Sequence, residues 1–316
     1  MTNFEVYKKT FIFSWVRLGI DLLQIAVLAG CMAAGFLLAG EKLVGLGIGV
    51  IVGLIIFGIV LHFVSYLYKA GQIAMMTGAV TAGTLPDNVL QAGKQAVKER
   101  FTTVSVYYVV TSAISGIFHE ISRGVTSIAN AAGGEAGNTI GSIITGVIDT
   151  IVAYLCDCCL GWVFYNQGAN AFHCTLQGAV LFFKNWKALL KNLGRIFGMG
   201  LASFAVIGGA LTALFYAVLG SFPELISAVQ KAAQNSSNDA GQSLNSPFAV
   251  QLFLALLFAV ILWSVLHAVF VRPFVLVGVL RNYMAAGIQN TPAESDFGEV
   301  AKISPKFRKL QEKAAQ

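Results

Sequence analysis

Asp149 lies about ten residues into the apolar run 139–165. An ionisable group at that depth in a bilayer costs at least ~2.5 kcal/mol on insertion scales, so it must face protein or water, and it marks a functional candidate by default. Without a partner it would rest protonated, or bind a cation when charged. Tyr107, Tyr108, Tyr154 and Trp263 fall deeper than the aromatic belt that Trp162 and Tyr165 would form at the boundary. Rings gathered around a carboxylate could cage a quaternary ammonium by cation-π attraction. The alternative is structural: Asp149 bonds Ser142, Thr145 or a neighbouring helix, and the rings pack a core.

A second set of residues suits a lipid surface. Between Gln177 and Arg195, helical spacing puts Val180, Phe183, Trp186, Leu190 and Leu193 near one stripe and Lys184, Lys187 and Lys191 on another side. Such a helix lies in the interface with its lysines against anionic headgroups. A shorter basic helix, 87–100, precedes it, with Val89, Leu90, Ala96 and Val97 as its apolar edge.

Other chemistry is missing from the sequence. Cys31, Cys156, Cys158, Cys159 and Cys174 sit in or beside apolar helices rather than in polar loops, and their spacing does not converge on a metal with His173. There is no phosphate-binding glycine loop and no nucleophile elbow. The expectation is a protein that is not an enzyme and has no cofactor and no metal.

Those side chains need elements to position them. A chain of 316 residues with 56% hydrophobic and only 11% charged residues cannot hide its apolar surface in one aqueous core, since soluble domains carry about 25% charge. The net charge of +6 fits loops at a membrane surface rather than nucleic acid. Six runs are long enough to cross about 30 Å of hydrocarbon: 18–40, 43–68, 101–118, 139–165, 196–221 and 248–271. The third is short, ending before His119, Glu120 and Arg123. The basic start lacks a short apolar core ending in a cleavage site, so it predicts a retained first span.

Only Lys42, Arg123 and Lys231 fall in loops on one side, and the other eighteen Lys and Arg fall on the opposite side. The positive-inside rule then makes both termini cytoplasmic. The expected fold is all-α: a polytopic membrane protein with six transmembrane helices as three hairpins, joined by cytoplasmic amphipathic helices. Residues 1–289 form the transmembrane domain and 290–316 a short basic cytoplasmic tail with a helix near 305–313. Gly45, Gly49 and Gly53 repeat at four-residue spacing, which suits close helix packing in lipid. Gly83 and Gly287, each followed soon by proline, suggest helix stops in the first and third hairpin units. Residues 139–195 read as one long helix leaving the membrane and turning along its cytoplasmic face.

The second half resembles the C-terminal membrane half of the choline transporter-like family. The likeness runs through Leu155-Cys156-Asp157-Cys158-Cys159 at the end of a span, Phe172-His173-Cys174 with Gly178 and Ala179 leading to Asn185, and a last span reaching Val279-Leu280-Arg281-Asn282. The basic helix within 91–121 is also similar. That family has more spans, and an acidic pair where this chain has Gly278 and Val279. The resemblance implies movement of choline or a related organic cation across a cell membrane. A transporter or channel for a small organic cation, lined by Asp149 and the aromatics, is one expectation. The alternative is a non-transporting scaffold subunit of a secretion, conjugation or envelope complex. Its expected partners are membrane lipids, a second copy or other membrane proteins.

Overall fold

The computed structural model describes residues 1–39, 42–56, 62–101, 110, 112–117, 119–120, 137–190, 192–234 and 246–314; at 42–43, 46, 62, 137–148, 185–190, 193, 232–234 and 303 it describes the backbone alone. The described chain is all-helical. Three helices are long and apolar enough to cross a membrane: Asn3–Leu38, Gly194–Leu219 and Pro247–Gln289. The chain divides into two units, 1–193 with 273–316, and 194–272.

The first unit begins with α1 (Asn3–Leu38), started by a reciprocal cap in which the Glu5 amide donates to the Thr2 hydroxyl and the Thr2 amide to the Glu5 carboxylate. α2 (Lys42–Ile56) packs antiparallel to it. Gly45 meets Gly35, Gly49 meets Cys31 and Gly53 meets Leu28. A Cβ on Gly45 would collide with the Gly35 carbonyl, and one on Gly49 with that of Cys31. The four-residue glycine spacing thus sets how closely the two backbones approach.

α3 (His62–Ala82) lies against α1 and ends at Gly83, whose φ of 75° is the left-handed conformation expected there. α4 (Val89–Arg100) starts at Asn88, whose side-chain oxygen accepts from the Gln91 amide at 3.0 Å. α5 (Gly137–Tyr165) and α6 (Ala171–Leu190) follow. They are separate helices: the expected continuous helix breaks at Asn166–Asn170, where Asn170 accepts from the Phe172 amide to start α6. α10 (Arg272–Gln289) runs through Gly287, which is no helix stop. The Trp162 ring and Leu181 lie where a Cβ at Gly287 would sit, so this glycine serves close packing.

The tail is folded. After a turn at Glu294–Asp296 come α11 (Phe297–Ile303) and α12 (Pro305–Ala314). Phe297, Val300, Phe307 and Leu310 are buried together with Ile117 and the α6 residues Leu176, Ala179 and Val180. The described part of the tail falls within the first unit.

The second unit contains α7 (Gly194–Leu219), α8 (Pro223–Gln234) and α9 (Pro247–Leu266). α7 and α9 run antiparallel: Gln251 donates to the Tyr216 carbonyl at 2.7 Å, and the Trp263 indole to Ser203 at 3.3 Å. Each helix loosens into one π-helical turn, Phe204–Gly208 in α7 and His267–Val271 after α9.

Candidate functional site

Many of the buried polar groups among the described residues lie along one seam of the first unit. On α1, Thr10, Ser14, Arg17 and Gln24 are buried, and Asp21 shares their stripe. Steps of four and three keep side chains on one face of a helix, so α1 carries a polar line on its inner side. α3 answers with Ser65, Lys69 and Gln72. Gln72 donates to Ser14 at 3.3 Å and to the Thr10 carbonyl at 3.4 Å, and the Ser65 hydroxyl donates to Asp21 at 3.2 Å.

α5 completes the seam. Asp157 is 2% exposed, and its carboxylate lies 2.5 Å from the Lys69 ammonium, which also stands 5.4 Å from the Tyr66 ring centroid. Arg17, Asp21, Lys69 and Asp157 sum to zero formal charge. Close opposite charge lowers the cost of a buried ion, and the seam supplies it where Lys69 of α3 meets Asp157 of α5. A buried pair of this kind can hold helices in register, or open when a charged solute competes for either member. No group of His, Cys, Asp and Glu among the described residues could hold a metal ion.

Of the residues first singled out, the structure describes Asp149, Tyr154 and Trp263. Asp149 is half-exposed, with His119 4.0 Å away. Tyr154 is buried at 3% exposure. Trp263 belongs to the second unit, where it bonds Ser203 and packs on Phe204 and His267. Tyr107 and Tyr108 lie outside the described residues. The first unit has a cavity between α1, α3 and α4 and the second unit one between α7 and α9; Asp149 lines neither.

Among the proposed lipid contacts, Lys184 forms an ion pair with Asp296 at 2.5 Å. Lys191 and the side chains of Trp186 and Lys187 lie outside the described set. The first half of α6 is enclosed rather than laid on a surface. Its Leu176 and Val180 face the tail, while Gly178 accepts from the buried Tyr283 hydroxyl at 2.6 Å.

All five cysteines are free thiols. Arg100 donates to the Cys174 sulfur at 3.3 Å and to the carbonyls of Ala169 and Gln167, fastening the end of α4 to the turn between α5 and α6. Burial pushes the Cys174 thiol up, and Arg100 opposes that shift.

The Lys69–Asp157 pair is not visible in local sequence, because its members lie on different helices 88 positions apart. The polar line 10, 14, 17, 21, 24 on α1 was the available signal. No protein family, no curated protein and no solved structure matches the chain.

Proposed function

We propose that the chain is a multi-pass integral membrane protein acting as a scaffold, with α1 paired to α2 and α7 paired to α9 crossing the bilayer. The rest of the first unit forms a helical lobe on the cytoplasmic side. One observation carries this. Exposed large hydrophobics crowd onto α1 and α2 from Leu22 to Ile56 and onto the second unit from Met199 to Ile261. Between those stretches the described residues expose only Tyr165. Contiguous exposed apolar surface marks a lipid or protein contact, whereas elsewhere in the first unit the described residues expose only Phe4, Ile12 and Trp15 at the start of α1, Tyr165 and Ile288.

The clasp of Arg281 on Asn3 and on the Met1 carbonyl, both at 2.8 Å, supports an even number of crossings between them. That is what the lysine and arginine distribution requires. For the middle pair of a six-span arrangement the support is weaker. Ile117 is buried among tail side chains, and Glu120 accepts from the Ser304 hydroxyl and the Lys306 amide. A cytoplasmic tail held this way counts against a full crossing by 101–118.

The folded tail offers Arg308, Lys309 and Lys313 on its outer side, a fixed basic surface for an acidic partner. The organic-cation permease keeps one observation in its favour, the buried Lys69–Asp157 pair, because ionisable groups inside membrane helices mark solute paths. Two assays separate the classes. Purified protein in liposomes is tested for uptake of choline and small amines, and partners are recovered from native membranes with wild type and with Arg308→Glu/Lys309→Glu/Lys313→Glu. The scaffold predicts no uptake and a stoichiometric partner lost in the triple variant. Amine uptake abolished by Lys69→Met/Asp157→Leu would overturn it in favour of the permease.

A further inference from the structure

A cavity of about 390 Å³ lies between α1, α3 and α4, within the ~300–1,000 Å³ range of small-molecule sites. Phe13, Phe63, Leu67, Val97 and Phe101 make its walls, and Lys94 and Lys98 also line it. Both lysines are exposed, so their stems border the cavity while their ammonium groups reach its mouth, the usual habit of lysine beside apolar surface. One helical turn apart on α4, they stand on the same face. The Lys94 ammonium is held 5.2 Å from the Tyr68 ring centroid. Neither lysine forms an ion pair with a carboxylate among the described residues.

An apolar slot with two uncompensated cations at its mouth complements a molecule with an apolar chain and an anionic head. We infer that this cavity is a binding site for an acidic phospholipid, with an acyl chain between Phe63, Leu67 and Val97 and the headgroup phosphate between Lys94 and Lys98. The inference rests on the reading of the lobe as lying at the cytoplasmic membrane surface, where such lipids are supplied. Charge complementarity selects this occupant over an organic cation, which the same lysines would repel.

The test is native mass spectrometry of full-length protein extracted from nanodiscs of equal phosphatidylglycerol and phosphatidylcholine, counting and identifying the lipids retained. Wild type should keep one phosphatidylglycerol. A basic residue near the surface is worth about fivefold in affinity for acidic lipid, so the pair should give a preference of roughly 25-fold. Lys94→Gln/Lys98→Gln should lose that preference. Val64→Trp, which fills the slot from α3, should lose the lipid altogether while thermal unfolding confirms that it is folded. Wild type that retains both lipids equally, or none, overturns the inference, as does undiminished preference in the lysine variant. Displacement of the signal by millimolar inorganic phosphate alone would also overturn it, marking a phosphate site without an acyl slot. Accessibility labelling of Lys313→Cys reports the membrane side independently, so a wrong topology and an absent lipid site give different results.

Discussion

At 2.5 Å from Asp157, the Lys69 ammonium sits where either charge alone would be costly. Removing one member strands the other, at about 3–5 kcal/mol, whereas replacing both with apolar groups of similar volume is often neutral or stabilising. Lys69→Met should therefore lower stability by that amount and Lys69→Met/Asp157→Leu should recover most of it, measured by chemical unfolding in detergent. A double variant as unstable as the single one would show that the pair's other contacts matter more. Asp296 lies outside the apolar spans, and its pairing with Lys184 and the Ala293 amide holds its carboxyl below the usual range. A lowered folded-state value contributes stability that is complete above the ordinary carboxylate value of about 4 and is lost as pH falls through the lowered one. Asp296→Asn should thus lower the melting temperature at pH 7, and the difference from wild type should shrink as the pH falls through and below the ordinary carboxylate range. A difference that persists in acid would mean that the carboxylate charge is not what matters. Asp149 drew attention because depth in an apolar run can be counted. Its neighbours could not be counted the same way, since they depend on how helices turn toward each other.

Helix α2 shows how much an element reveals when its spacing has one physical use. Gly45, Gly49 and Gly53 were legible as a packing face, and they meet Gly35, Cys31 and Leu28 on α1. Gly49→Leu puts a side chain into the Cys31 carbonyl and should cost about 1–3 kcal/mol through forced separation of the helices. Gly47→Leu, where a Cβ meets nothing within 4 Å, should be nearly silent, and thermal inactivation of both variants in one detergent makes the comparison. Gly83 was legible as a stop because proline follows it. Gly287 carries the same local pattern yet lies inside α10, because Trp162 needs the space. Local sequence cannot separate a glycine required by φ from one required by a neighbour 125 positions away. The break after Tyr165 had its signal in Asn166, Gly168 and Asn170, outweighed in the reading by the apolar runs on both sides.

Across the whole molecule, composition made the membrane legible, and the charge asymmetry suggested an orientation. What it left hidden is the proposed division of the chain between membrane-crossing helices and a helical lobe. An average over apolar residues does not distinguish a side chain that meets lipid from one that meets Phe307. If the proposed orientation holds, single cysteines at Thr2 and Lys313 should react with an impermeant maleimide only after the cytoplasmic face is opened, and one at Ser227 should react in intact cells. Reaction of the first two without opening would reverse the orientation. The clasp of Arg281 on residues 1 and 3 also has a consequence in time. During synthesis the start of α1 emerges some 280 residues before the side chain that will fasten it. Until then α1 has nearby segments to lean on: α2 through the glycine seam, α3 through Gln72 and Ser65, and α4 where Gly93 meets Phe13. Assembly must therefore begin at the end of α1 that meets α2 and finish at its first turn, so a defect at Arg281 would surface as a late, incompletely closed species.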